Sequence, residues 1–134
     1  MPNKEAQMYK LSQKSLDRLS GVHPDLVTVV KRAIEITEVD FAVLEGVRSI
    51  ARQEQLVKAG ASQTMKSRHI TGHAVDLGAY VGGSVRWDWP LYDKIALSMK
   101  AAAIEKQVAI EWGGDWRTLK DGPHFQLTFE EYPA

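Results

Sequence analysis

A chain of 134 residues with 44% apolar and 25% charged side chains has room for one hydrophobic core and enough polar surface to stay in water. Its 17 lysines and arginines balance 17 aspartates and glutamates, so there is no global field to hold nucleic acid. The absence of cysteine excludes disulfides, thiolate metal sites and a cysteine nucleophile, and leaves histidine and carboxylate as the only strong metal ligands.

Taken in order, residues 1–10 are polar and lack the apolar centre of a signal peptide, and no later run approaches the roughly 18 apolar residues of a membrane span. The product is therefore expected to be made and kept in the cytosol, without membrane insertion. Leu11, Leu16 and Leu19 recur at helical spacing before Gly21, which predicts a short helix with one apolar side. Pro24 and Asp25 open a second helix whose stripe is Leu26, Val29, Val30, Ala33, Ile34 and Thr37, with His23 at its boundary. Phe41, Val43 and Glu45 alternate as a strand ending at Gly46. Arg48 follows, placed either to present its planar fork to a carboxylate or carbonyl in a cleft, or to pair with Glu45 or Glu54. Ser49 caps a helix over 50–59, closed by Gly60, and 61–68 reads as a loop in which Lys66 and Arg68 make a basic cluster, either a solvated edge or a place for a phosphate or acidic substrate group.

Beyond residues 67–80, the Gly82-Gly83 pair predicts a hairpin turn and Pro90 the longest helix, over 90–106, with Leu91, Ile95, Ser98, Met99, Ala102 and Ala103 inside. Residues 108–112 form another strand. Trp112, beside Gly113 and Gly114, is either the wall of a substrate groove or a core residue. The tail, 128–134, carries no further motif. Helices first and strands mixed with helices later predict an α+β fold, a small antiparallel sheet with helices packed on one face and the site on the other.

Two stretches carry chemistry. In Ala74-Val-Asp-Leu-Gly, Val75 and Leu77 face inward and Asp76 faces out, with His69 a short turn upstream. In Asp121-Gly-Pro-His-Phe-Gln-Leu, Phe125 and Leu127 alternate with His124 and Gln126. If the two strands are neighbours, His69, Asp76 and His124 converge as two imidazoles and a carboxylate, a ligand set that suits zinc and leaves a position for water. Such a zinc lowers the pKa of its water from roughly 15.7 to about 7. Asp121 is then the general base, or else merely a turn residue.

Ser67-x-His69-x-x-Gly72-x-Ala74-x-Asp76, followed by Asp121-x-x-His124, resembles the two-part zinc signature of the D-Ala-D-Ala metallopeptidase and L-alanyl-D-glutamate peptidase family, whose core is shared with lysostaphin-type enzymes and hedgehog. The segment Val-Leu-Glu-Gly-Val-Arg48-Ser resembles the strand that ends in the family's substrate-binding arginine. The likeness runs from about residue 24 to 128, and is strongest to short phage endolysins. It implies zinc held by His69, Asp76 and His124, Asp121 as catalytic acid/base, and Arg48 as a binder of a substrate carboxylate or developing oxyanion. Ser67 and Trp112 are further candidate substrate contacts. Two departures stand out: many relatives carry glutamate where Asp121 stands, and His73 fills a slot that is often another polar residue, which places it on the rim of the site.

The resemblance implies one zinc peptidase domain over 1–134 with no separate wall-binding module, a monomer cleaving the L-Ala–D-Glu amide of peptidoglycan stem peptides and lysing the host. Without an export signal it depends on a holin-type pore to pass from the host cytoplasm to the periplasm. Rival expectations are a D,D-carboxypeptidase or dipeptidase acting on D-Ala-D-Ala, and a non-catalytic zinc-binding module. Nucleic acid is not an expected partner.

Overall fold

The computed structural model describes residues 8–62 and 64–133. Most of the polar stretch read for export signals, together with Gln63 of the basic loop and Ala134 of the tail, lies outside the described residues. Among the described residues no helix is long and apolar enough to cross a membrane.

Five antiparallel strands form one sheet: β1 (Phe41–Glu45), β2 (Ala74–Val81), β3 (Ser84–Arg86), β4 (Ile110–Trp112) and β5 (His124–Leu127). The order is β1-β2-β5-β4, with β3 returning along β2 as a hairpin. Gly82 and Gly83 turn that hairpin with φ of 61° and 87°, the left-handed pair that a two-residue turn matching strand twist requires. Val75, Leu77, Ala79, Phe125 and Leu127 point to one face and meet α2 (Pro24–Ile36) and α4 (Trp89–Lys106), which pack on each other. The expected stripe of α2 is buried throughout, and burying each such aliphatic side chain contributes about 1.5–3 kcal/mol. His23 is a boundary residue, as expected, and its Nδ1 accepts from the Asp25 amide at 3.1 Å to cap the helix.

The other two helices depart from simple layering. α1 (Gln13–Arg18) does not bury Leu16, which is 38% exposed, but Ser15, which is 1% exposed. The reason is an edge. Val43 of β1 turns its backbone outward, and α1 satisfies both groups: the Val43 amide donates to Ser15 Oγ at 3.0 Å and Arg18 Nη1 donates to the Val43 carbonyl at 3.0 Å. α3 (Ile50–Lys58) buries only Gln53 and borders the open face of the sheet instead of the core.

Candidate active site

The sheet register builds the site. Asp76 on β2 lies directly opposite His124 on β5, so both side chains leave the same, open face. Two pairs along, Ala74, Gln126 and Glu111 form a row on that face, because Gln126 is opposite Ala74 and Glu111 is opposite Gln126. A bulge between Val43 and Glu45 breaks the alternation of β1 and sets Glu45 opposite Asp76, so Glu45 joins the site and not the core side on which Phe41 and Val43 lie.

His69 reaches the group from the turn before β2. Its Nδ1 donates to the Gly46 carbonyl at 2.9 Å, which leaves Nε2 facing Asp76 Oδ1 at 3.2 Å. The turn is tied down by the Ser67 hydroxyl, which accepts from the His69 amide, and by Gly72, whose φ of 77° and closeness to the Gly21 carbonyl leave no room for a Cβ. His124 presents the other nitrogen. Its Nδ1 is 3.3 Å from Asp76 Oδ1, while its Nε2 donates to Gln126 Oε1 at 2.7 Å. One ligand atom from each of His69, Asp76 and His124 lies within 4.8 Å of the others, so the three are positioned to bind one metal ion. Both imidazoles already spend their outer nitrogen on an oxygen acceptor, as metal-ligating histidines do, and the donor set of two nitrogens and one carboxylate suits zinc.

Burial pushes the Asp76 carboxyl up, but hydrogen bonds from His124 and His69 outweigh it and hold Asp76 well below the usual carboxylate range. His124 is affected in the opposite sense: burial lowers it, and the bond to Asp76 more than compensates, so it titrates above an ordinary histidine. Asp121 lines the same cleft, and burial, reinforced by the charge of Asp76, raises its carboxyl. Its loop sits close because Gly113 has no side chain; a Cβ there would lie 2.3 Å from the Asp121 carbonyl oxygen.

Arg48 makes the expected ion pair with Glu45 and also lines the cleft. It pairs with Glu45, donates to Gln53 Oε1 at 2.8 Å and lies 3.5 Å from Ser67 Oγ, yet its guanidinium also comes within 3.7 Å of Asp76 Oδ2 on the cleft wall. Gln53 escaped the sequence reading: wholly buried, it uses its amide nitrogen on Ser62 Oγ and the Thr64 carbonyl, and so joins the cleft loop to Arg48.

Three expectations need correction or settling. Trp112 is not a groove wall: its register with Phe125 puts it on the core face, 7% exposed, stacked on Phe125 with Nε1 donating to the Gly122 carbonyl. The indole at the cleft is Trp116, whose ring centroid is 5.1 Å from that of His124. Arg68 is not a solvated edge but 5% exposed; its Nη2 donates to the carbonyls of Leu127 and Tyr132, and its guanidinium lies over the Phe129 ring, anchoring the tail. His73 stays outside the ligand group, bonded to Thr71 and near the His23 ring.

The cleft that contains these groups has a volume of about 590 Å³. Residues 7–128 match the profile of the family described as phage L-alanyl-D-glutamate peptidase. The chain belongs to that family. It is 31% identical over 117 residues to the L-alanyl-D-glutamate peptidase of Escherichia phage T5, over 84% of this chain and 85% of that relative. The structure is similar to that of the Serratia marcescens L-Ala D-Glu endopeptidase ChiX, with a TM-score of 0.89 and 50% identity over 98% of this chain and 100% of that one. A more distant likeness, to the vancomycin-resistance D,D-dipeptidase VanXYg, has a TM-score of 0.52 and 21% identity over 79% of this chain and 50% of that one, and speaks for the fold alone.

Proposed function

We propose that the protein is a zinc-dependent peptidoglycan endopeptidase that hydrolyses the amide between L-alanine and D-glutamate in the stem peptide. The observation that carries this reading is the convergence of His69, Asp76 and His124 in one cleft with Asp121. Family membership supports the bond assignment, since the phage T5 and Serratia relatives are named for it. The cleft wall includes Arg48, Arg52 and Lys66, cations able to meet the carboxylates of an acidic peptide.

His69, Asp76 and His124 would hold the zinc, which when bound polarises the scissile carbonyl and makes the attacking water more acidic. Asp121 takes the proton of that water and returns it to the leaving amine of D-glutamate; its raised pKa brings it closer to the value at which one group can do both. Arg48, held by Glu45 and Gln53, offers its guanidinium to the substrate carboxylate or the developing oxyanion, and Ser67 keeps that arm and the His69 turn in register. Trp116 gives the cleft an aromatic wall beside His124.

Digestion of purified muropeptides followed by mass spectrometry tests the reading directly. Release of the stem from its lactyl-alanine is expected; trimming of terminal D-alanine alone would replace this assignment with a D,D-carboxypeptidase, and no cleavage would leave a zinc-binding module. Asp121→Ala should retain zinc and lose about 10²–10⁴-fold in turnover, whereas His124→Ala should lose zinc itself. Undiminished turnover in the zinc-loaded Asp121 variant would remove it from the mechanism. On the same reading the protein lyses its host as a monomer, passing from cytoplasm to wall through a holin-type pore. Culture clearing that needs no co-expressed pore former would sink that route.

A further inference from the structure

A chain of hydrogen bonds runs along the open face from His124 to a carboxylate that does not touch the ligand group. His124 Nε2 bonds Gln126 Oε1 at 2.7 Å, Gln126 Nε2 donates to Glu111 Oε1 at 3.0 Å, and Trp116 Nε1 donates to Glu111 Oε2 at 3.3 Å. His124 and Gln126 are 7% and 6% exposed, so water does not readily substitute for these partners. Each link is directional. A carboxylate only accepts and an indole only donates, whereas an amide can face either way and a neutral imidazole can carry its proton on either nitrogen.

Glu111 therefore decides the orientation of Gln126. Because Glu111 accepts, Gln126 must turn its NH₂ toward it and its oxygen toward His124. The oxygen in turn requires a proton on His124 Nε2, which leaves the Nδ1 lone pair for the ligand group. We propose that Glu111, acting through the amide of Gln126, is the positioning residue that selects which nitrogen of His124 ligates the metal. His69 needs no such device, because a backbone carbonyl holds its Nδ1 proton. The inference rests on the proposed zinc site, although not on the bond that is cleaved.

The network allows a polarity test. In Glu111→Gln the donor-only indole of Trp116 captures the new amide oxygen, the new NH₂ faces Gln126, and Gln126 must turn its own NH₂ to His124. That arrangement favours the wrong tautomer. Zinc affinity, measured by competition with a chromophoric chelator and without substrate, should fall about 10–100-fold. The double variant Glu111→Gln, Gln126→Glu restores an acceptor at every place that needs one and keeps the net charge; its affinity should return to within about threefold of the parent. Adding Trp116→Phe to Glu111→Gln releases the amide and should also recover binding. Imidazole nitrogen NMR of the zinc-loaded parent should show the His124 proton on Nε2.

Unchanged zinc affinity in Glu111→Gln, or a double variant as weak as the single, would overturn the proposal, since a purely structural loss is not repaired by inverting a hydrogen-bond chain. If the single variant does not fold, the folded double variant decides by its affinity and by the position of the His124 proton. A parent that binds zinc but cleaves no muropeptide would defeat the functional reading and leave this one standing.

Discussion

His69 and His124 bring opposite nitrogens to Asp76, and each does so because of what its other nitrogen meets: a carbonyl for His69, a side-chain amide for His124. The residue types alone show that these groups can bind metal; only their outer partners show how. Gly113 illustrates the same dependence at a position without side-chain chemistry. With a Cβ placed 2.3 Å from the Asp121 carbonyl oxygen, Gly113→Ala must push the Asp121 loop away. A displacement near an ångström costs about 100-fold in rate, so turnover should drop by that order while zinc content holds. Parallel steady-state kinetics and metal analysis check this, and a variant with parental turnover would show that the loop absorbs the change.

Among the elements, α1 is the least expected. Its sequence reads as a leucine-striped helix, and Leu19 at its end does enter the core, but Leu16 is left exposed and the residue buried within the helix is Ser15, because α1 covers a sheet edge and must meet backbone polar groups there. Ser15→Ala leaves the buried Val43 amide without its acceptor, at a cost of about 1–3 kcal/mol. Leu16→Ala, on an exposed position, should cost under about 1 kcal/mol, and Leu26→Ala, in the fully buried stripe of α2, about 2–5 kcal/mol. Urea denaturation of the three variants gives the ranking; a Leu16 variant as unstable as the Leu26 one would mean that Leu16 is a packing residue after all. The bulge in β1 is a second local feature with a distant effect, since it turns Glu45 onto the site face where it pairs with Arg48.

At the scale of the whole molecule, the ligand group makes stability depend on pH and metal. Without metal, burial raises the Asp76 carboxyl but hydrogen bonds from both imidazoles leave it depressed, so its contribution is present above its unfolded pKa of about 4 and lost as pH falls through the lower folded value. Burial lowers His124 and its bond to Asp76 leaves it raised, so its contribution is full below about 6.5 and lost as pH rises through the higher folded value. Both are complete only between about pH 4 and 6.5, where this pair's contribution to metal-free Tm should be greatest. Zinc at about 100 times its Kd should then add about 2.7 kcal/mol, a rise of roughly 5–10 °C. Thermal melts in chelator and in zinc across pH test both; a metal-free Tm that rises steadily from pH 5 to 8 would contradict the first.

Much of this was legible in the chain itself. The α2 stripe, the Gly82-Gly83 hairpin and the alternation around Asp76 and His124 are local patterns, and local patterns survive in sequence because neighbouring residues alone set helix face and strand pleat. The candidate ligand set was likewise readable from residue chemistry and spacing. What only the tertiary structure decided were the partnerships between distant segments: Trp112 on the core face and Trp116 at the cleft, Arg68 buried beneath the tail, Gln53 behind Arg48, and Glu111 behind Gln126. For Trp112, Glu111 and Gln126 the reason is strand register, since a shift of one residue sends each side chain to the opposite face; for Arg68, Gln53 and Trp116 it is the path of turns and a helix packed beside the sheet, which no local pattern records.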